Sequence, residues 1–121
     1  MGYKVLLVED DHDIREAVAD YFTGVEASEM NVSCACDGIQ AEEMLYENQY
    51  DLVLLDIMLP GVDGWELCRQ IRKSSDVPVI FLTARARQED VLYGYTLGCD
   101  DYVVKPFAIA ELYAKSVALV R

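Results

Sequence analysis

Acidic residues, one threonine and one lysine sit at the same kind of place in this chain, just past an apolar run. KVLLVE at residues 4–9 ends in Glu9-Asp10-Asp11, LVLL at 52–55 ends in Asp56, and VPVIFLT at 77–83 ends in Thr83. The run YVV at 102–104 is followed by Lys105-Pro106. If these ends meet, three carboxylates repel one another unless protons or a cation intervene. An all-oxygen set with room for water suits Mg²⁺. An aspartate beside that ion is a competent nucleophile toward phosphorus. Phosphoryl transfer otherwise needs positioning and charge neutralisation, which the metal and Lys105 would supply, with the Thr83 hydroxyl donating to a phosphoryl oxygen. Taken singly, each acid is a cap or a turn residue. Asp11 or Asp13 suits a helix N-cap, and Pro60-Gly61 and Asp63-Gly64 are turn signals behind Asp56. Only the combination points to chemistry.

The elements that must carry these residues alternate. Residues 4–9, 31–36, 52–56, 77–83 and 102–104 read as strands. The run at 52–55 lacks polar alternation, which predicts a strand buried on both faces, as in a parallel sheet. Ile14, Val18, Tyr21 and Phe22 keep helical spacing in a first helix, with Asp13 and Glu16 suited to a capping box. Asp37 with Gln40, and Asp63 with Glu66, open the second and third helices in the same way. A fourth helix is predicted over about 88–97 despite Gly94, which costs roughly 1 kcal/mol relative to alanine. A fifth is predicted over about 108–120. Five strands alternating with five helices predict an α/β fold, an open parallel sheet covered on both faces. In such sheets ligands bind beyond the carboxyl ends of the strands, near the switch in strand order.

Composition narrows the function classes. A chain of 121 residues, 53% hydrophobic with three prolines, is one domain with a proper core and is not disordered. No apolar run reaches the roughly 18 residues of a membrane span, and the opening does not read as a signal peptide. Cys34, Cys36, Cys68 and Cys99 match neither a zinc knuckle nor a disulfide framework, so they are expected reduced, in the cytoplasm. A net charge of −12 repels phosphate backbones, which argues against direct nucleic-acid binding by this domain.

VEDD at 8–11, LLDIMLPGVDG at 54–64, LTA at 82–84 and GCDDYVVKPF at 98–107 together resemble a bacterial response-regulator receiver domain. The resemblance runs essentially the whole length. DDYVVKPF with MLPGVDG is most similar to the OmpR/PhoB subfamily, whose members join a receiver to a winged-helix DNA-binding domain. It implies a flavodoxin-like (βα)5 fold with strand order 2-1-3-4-5, and a receiver spanning 1–121. The DNA-binding domain would follow in the full-length protein, making Arg121 a boundary inside a longer chain. It implies that Asp56 accepts a phosphoryl group from a sensor histidine kinase. Glu9, Asp10 and Asp56 would hold Mg²⁺ with the Met58 backbone carbonyl, Lys105 would contact the phosphoryl group, and Thr83 and Tyr102 would be the switch pair. A cis peptide at Lys105-Pro106 is implied as well.

On activation the subfamily dimerises through helix 4, strand 5 and helix 5. Here Asp101 and Lys115 are expected to pair across the two-fold, with Leu92, Tyr95 and Tyr113 as an apolar patch. The sequence departs at Val91, where many relatives carry a basic partner for Glu111. His12 is expected at a solvated helix start, Trp65 in packing, and Arg69, Arg72 and Lys73 on a solvent face. A phosphorylation switch is therefore expected, not a turnover enzyme. A haloacid-dehalogenase-like phosphatase is the rival, but that family wants a second aspartate two residues after its nucleophile, where Met58 stands. A flavodoxin-like cofactor binder is the third reading, and no glycine-rich phosphate loop follows the first strand.

Overall fold

A computed structural model describes residues 2–121. Five strands and five helices alternate: β1 (Tyr3–Val8), α1 (His12–Gly24), β2 (Met30–Ala35), α2 (Gly38–Glu47), β3 (Leu52–Leu55), α3 (Gly64–Ser74), β4 (Val79–Thr83), α4 (Gln88–Thr96), β5 (Asp101–Val104) and α5 (Ile109–Val120). All pairings are parallel, as the alternation of elements predicts, in the order β2-β1-β3-β4-β5 that the resemblance to receiver domains implies.

Period-2 side-chain alternation divides each apolar strand between two cores. Leu6, Val8, Val53, Leu55 and Phe81 face Ala41 of α2 and Leu67 and Ile71 of α3. Val5, Leu7, Leu52, Leu54, Ile80 and Leu82 face Val18 and Phe22 of α1 and Leu112 of α5. The LVLL run is buried along its whole length because helices cover both faces.

Local signals set the helix starts. Asp11, not Asp13, caps α1: its carboxylate accepts from the backbone N–H groups of Asp13 and Ile14. The Asp13–Glu16 capping box therefore does not form, because the helix begins two residues earlier than that box requires. Asp37 and Asp63 cap α2 and α3 by accepting from the Gln40 and Glu66 N–H groups. β4 starts at Val79, two residues later than expected. Pro78 has no N–H to donate, and only its carbonyl joins the sheet, accepting from Val53 N at 2.9 Å.

Two glycines permit contacts that position the functional edge. A Cβ on Gly64 would lie 2.2 Å from the Asp56 carbonyl oxygen, so α3 can start against the backbone that carries Asp56 only with glycine there. A Cβ on Gly94 would lie 2.9 Å from Cδ2 of Tyr102, so the expected cost of a mid-helix glycine goes with room for an aromatic ring.

Candidate functional site at the carboxyl edge of the sheet

Four strand ends deliver the expected residues to one pocket. Glu9 follows β1 and is fully buried, while Asp10 beside it is exposed. Asp56 follows β3 and is 4% exposed, and Thr83 closes β4 with no exposed surface. Carboxylate oxygens of Glu9, Asp10 and Asp56 all lie within 4.8 Å of one another. Lys105 enters from the turn behind β5, where the Lys105-Pro106 peptide is cis. Its ammonium donates to Asp56 Oδ2 at 2.7 Å and lies 2.6 Å from Glu9 Oε1. Asp56 Oδ1 accepts from Met58 N at 3.1 Å.

The charge pattern is strained in a specific direction. Burial pushes the Glu9 carboxyl up from 4.5 to about 7, against the lowering effects of Lys105 and of the Asp11 N–H. Its Oε2 accepts from Asp11 N at 3.1 Å. Its Oε1 is paired with the Lys105 ammonium at 2.6 Å. Burial alone would lower the Lys105 pKa. Hydrogen bonds and charge from Asp56 and Glu9 outweigh it, and the net direction is up. One ammonium thus serves two buried carboxylates, with a third nearby. Three carboxylates converging at an open strand edge, with one ammonium among them, form an all-oxygen donor set that fits a small hard cation such as Mg²⁺.

Beside this pocket, Tyr102 is packed inward at 9% exposure. Its ring lies 6.0 Å from that of Phe81, and its hydroxyl donates to the Arg85 carbonyl at 2.7 Å. Burial pushes its phenol up to about 12. The Thr83 hydroxyl accepts from Arg85 N at 3.3 Å, so the Arg85 backbone touches both residues of the expected switch pair.

The response regulator receiver domain family matches residues 5–116. This chain belongs to that family. Among solved structures, a Francisella response-regulator receiver domain is 33% identical, with a TM-score of 0.91 over 98% of this chain and 97% of that one. The BeF3-activated N-terminal receiver domain of Klebsiella pneumoniae RstA is 35% identical, covers 98% of each chain and has a TM-score of 0.89. DrrB, a Thermotoga maritima OmpR/PhoB homolog, is 33% identical with a TM-score of 0.86, over 96% of this chain and 51% of that one. No helix among the described residues of this receiver is long and apolar enough to cross a membrane.

Other expectations fare unequally. His12 is exposed beside Asp13 and Glu16, and Trp65 packs edge-on against Phe81 and Tyr93, as expected. Arg72 is not on a solvent face. It donates to the carbonyls of Gly98 (2.9 Å) and Val77 (2.7 Å) and pairs with Asp100 at 3.1 Å, tying α3 to the start of β4. Arg69 bonds the Tyr93 hydroxyl and stacks on its ring. Arg69 and Lys73 are exposed, as expected, and Arg72 alone of the three is partly buried.

On the α4–β5–α5 face, Leu92 and Tyr95 are exposed, and Glu111 is exposed on α5. Asp101 and Lys115 pair within the one chain at 3.0 Å. Tyr113 does not join this face. Two residues from Glu111 and from Lys115 on a helix, it turns to the other side and meets Phe22 and Tyr21 of α1 edge-on, with centroids 5.3 and 6.0 Å away.

Sequence reasoning passed over Arg15, whose guanidinium reaches the backbone of Glu9 and Asp10. A signal was available. A cation in the first turn of a helix opposes the macrodipole, which suggests a tertiary partner.

Proposed function

We propose that Asp56 accepts a phosphoryl group from a sensor histidine kinase, and that the domain is a phosphorylation switch and not a turnover enzyme. The observation that carries this is the Lys105 ammonium held between Asp56 and Glu9, with Asp10 completing an acidic cluster at the open strand edge. An Asp56 oxygen attacks phosphorus, forming an acyl phosphate, while the bond to the donor's imidazole nitrogen breaks and the imidazole keeps that electron pair. Lys105 neutralises the phosphoryl oxygens as they arrive. Thr83 donates its hydroxyl to one of them, giving up its position beside Arg85 N. Glu9, Asp10, Asp56 and the Met58 carbonyl would hold Mg²⁺, which would supply further charge neutralisation at the transferring group. A groove of about 440 Å³ between α1 and the 105–109 segment, lined by Ile14, Val18, Pro106 and Phe107, offers an apolar seat beside Lys105 for a kinase helix.

Phosphorylation then biases a two-state packing of Thr83 and Tyr102 by differential contacts. The readout is a symmetric homodimer through α4, β5 and α5, with Leu92 and Tyr95 as apolar anchors and Asp101, Glu111 and Lys115 at the rim. The full-length protein continues into a winged-helix DNA-binding domain and acts in the cytoplasm. Likeness to an OmpR/PhoB homolog of which this chain covers 51% supports that reading.

The test is intact mass after acetyl phosphate and Mg²⁺. One phosphoryl group adds about 80 Da, requires Mg²⁺, is labile in base and is absent from Asp56→Asn. An adduct that forms without Mg²⁺, or persists in Asp56→Asn, overturns the assignment.

A further inference from the structure

Glu9 and Asp10 lie beyond the last residue of β1, where its ladders to β2 and β3 end at Val8. Glu9 N still donates to the Ala35 carbonyl at 3.0 Å. The two carbonyls have left the sheet; the Glu9 carbonyl is partly buried and requires a donor, while the Asp10 carbonyl beside it is exposed. One side chain donates to both. Arg15 Nη1 donates to Glu9 O at 2.9 Å and to Asp10 O at 3.1 Å. Arg15 sits in the first turn of α1, where the macrodipole disfavours a cation, so helix stability does not account for its placement.

We infer that Arg15 is a positioning residue: by holding both peptide carbonyls of the acidic pair, it fixes the directions of the Glu9 and Asp10 carboxylates and so tightens divalent-cation binding. This rests on the reading of Glu9, Asp10 and Asp56 as a cation cradle. The backbone contacts set where each Cα–Cβ bond points, and a hard cation of near-ideal octahedral preference tolerates little wander in its ligands. Charge alone predicts the opposite sign. A guanidinium beside a cation site repels the cation, so deleting it should tighten binding if Arg15 acts only through the field.

Isothermal titration of Mg²⁺ into the metal-free protein separates these cases. Removing partners that orient metal ligands typically weakens affinity about 10–100-fold. The contact here is to backbone, so Arg15→Met is expected at the low end, about tenfold weaker. Arg15→Lys keeps an ammonium able to reach a carbonyl and is expected to recover most of that loss. Arg15→Gln, a shorter neutral donor, is expected weaker than wild type and serves if Arg15→Met does not fold. Ala19→Gly loosens the same helix away from the pocket and should bind Mg²⁺ within twofold of wild type. Unchanged or tighter binding by Arg15→Met overturns the inference, as does equal weakening by Ala19→Gly. A wild-type protein that binds no Mg²⁺ overturns the cradle itself and the inference with it. The wild-type titration therefore tells the two failures apart.

Discussion

Replacing Gly94 by alanine isolates the contact on which the inward position of Tyr102 depends. The added Cβ would lie 2.9 Å from Tyr102 Cδ2, 3.1 Å from Cε2 and 3.4 Å from Phe81 Cδ2. The first distance is too short to persist, and the atom that must move belongs to a side chain with a free χ1. Two effects oppose each other. Alanine in a helix interior gains about 1 kcal/mol over glycine. Displacing Tyr102 breaks its hydrogen bond to the Arg85 carbonyl, about 1 kcal/mol, and re-exposes on the order of 100 Å² of ring, about 2.5 kcal/mol. The losses win by roughly 2.5 kcal/mol, so urea unfolding should show Gly94→Ala less stable by about that amount. The decisive comparison is a double-mutant cycle. In a Tyr102→Ala background the obstruction is gone, and Gly94→Ala should become stabilising by about 1 kcal/mol. If Gly94→Ala has the same effect with and without the tyrosine ring, the fit of Tyr102 against Gly94 is not what holds the ring inward.

Glu9 gives the metal-free protein a pH dependence. Its folded pKa of about 7 lies above the ordinary 4.5, so between those values the folded state holds a proton that the unfolded state has lost. Stability from this group is full below pH 4.5 and falls as pH rises toward 7, by up to roughly 3 kcal/mol. Urea midpoints in EDTA should therefore be higher at pH 5 than at pH 8, and Glu9→Gln should flatten that slope; an unchanged slope in Glu9→Gln refutes the assignment. Met58, exposed two residues after Asp56, carries no strong donor or acceptor to orient water, so the acyl phosphate should last on the order of hours. Phosphate release followed by mass spectrometry tests this, and a half-life of seconds in the unmodified protein contradicts it. Tyr113→Ala should cost about 2 kcal/mol of stability, through lost contacts with Phe22 and Tyr21. It should leave phosphorylation-dependent sedimentation unchanged, whereas Leu92→Ala and Tyr95→Ala should weaken the dimer. Weaker association of Tyr113→Ala at unaltered stability would return Tyr113 to the interface.

The sequence by itself determined the elements, their alternation and the chemistry of the strand ends. Continuous apolar runs could only be strands covered on both faces, and Asp37 and Asp63 announced their helices because capping is local chemistry. The pocket was legible for the same reason. A parallel sheet places every strand's carboxyl end along one edge, so knowing the strands was enough to bring Glu9, Asp10, Asp56, Thr83 and Lys105 together. Tertiary structure decided whatever depends on helix rotation or on long side chains crossing between elements. Tyr113 and Lys115 are two residues apart, yet the rotation of α5 sends one to α1 and the other to Asp101. Arg72 reads as a surface cation until the carbonyls of Val77 and Gly98 are seen to need it. Gly94 reads as a flaw in α4 until the Tyr102 ring is found in the space a Cβ would fill. Arg15, likewise, acquires its place only once the end of β1 stands beside the first turn of α1, because its partners are backbone carbonyls that no residue type in the sequence announces.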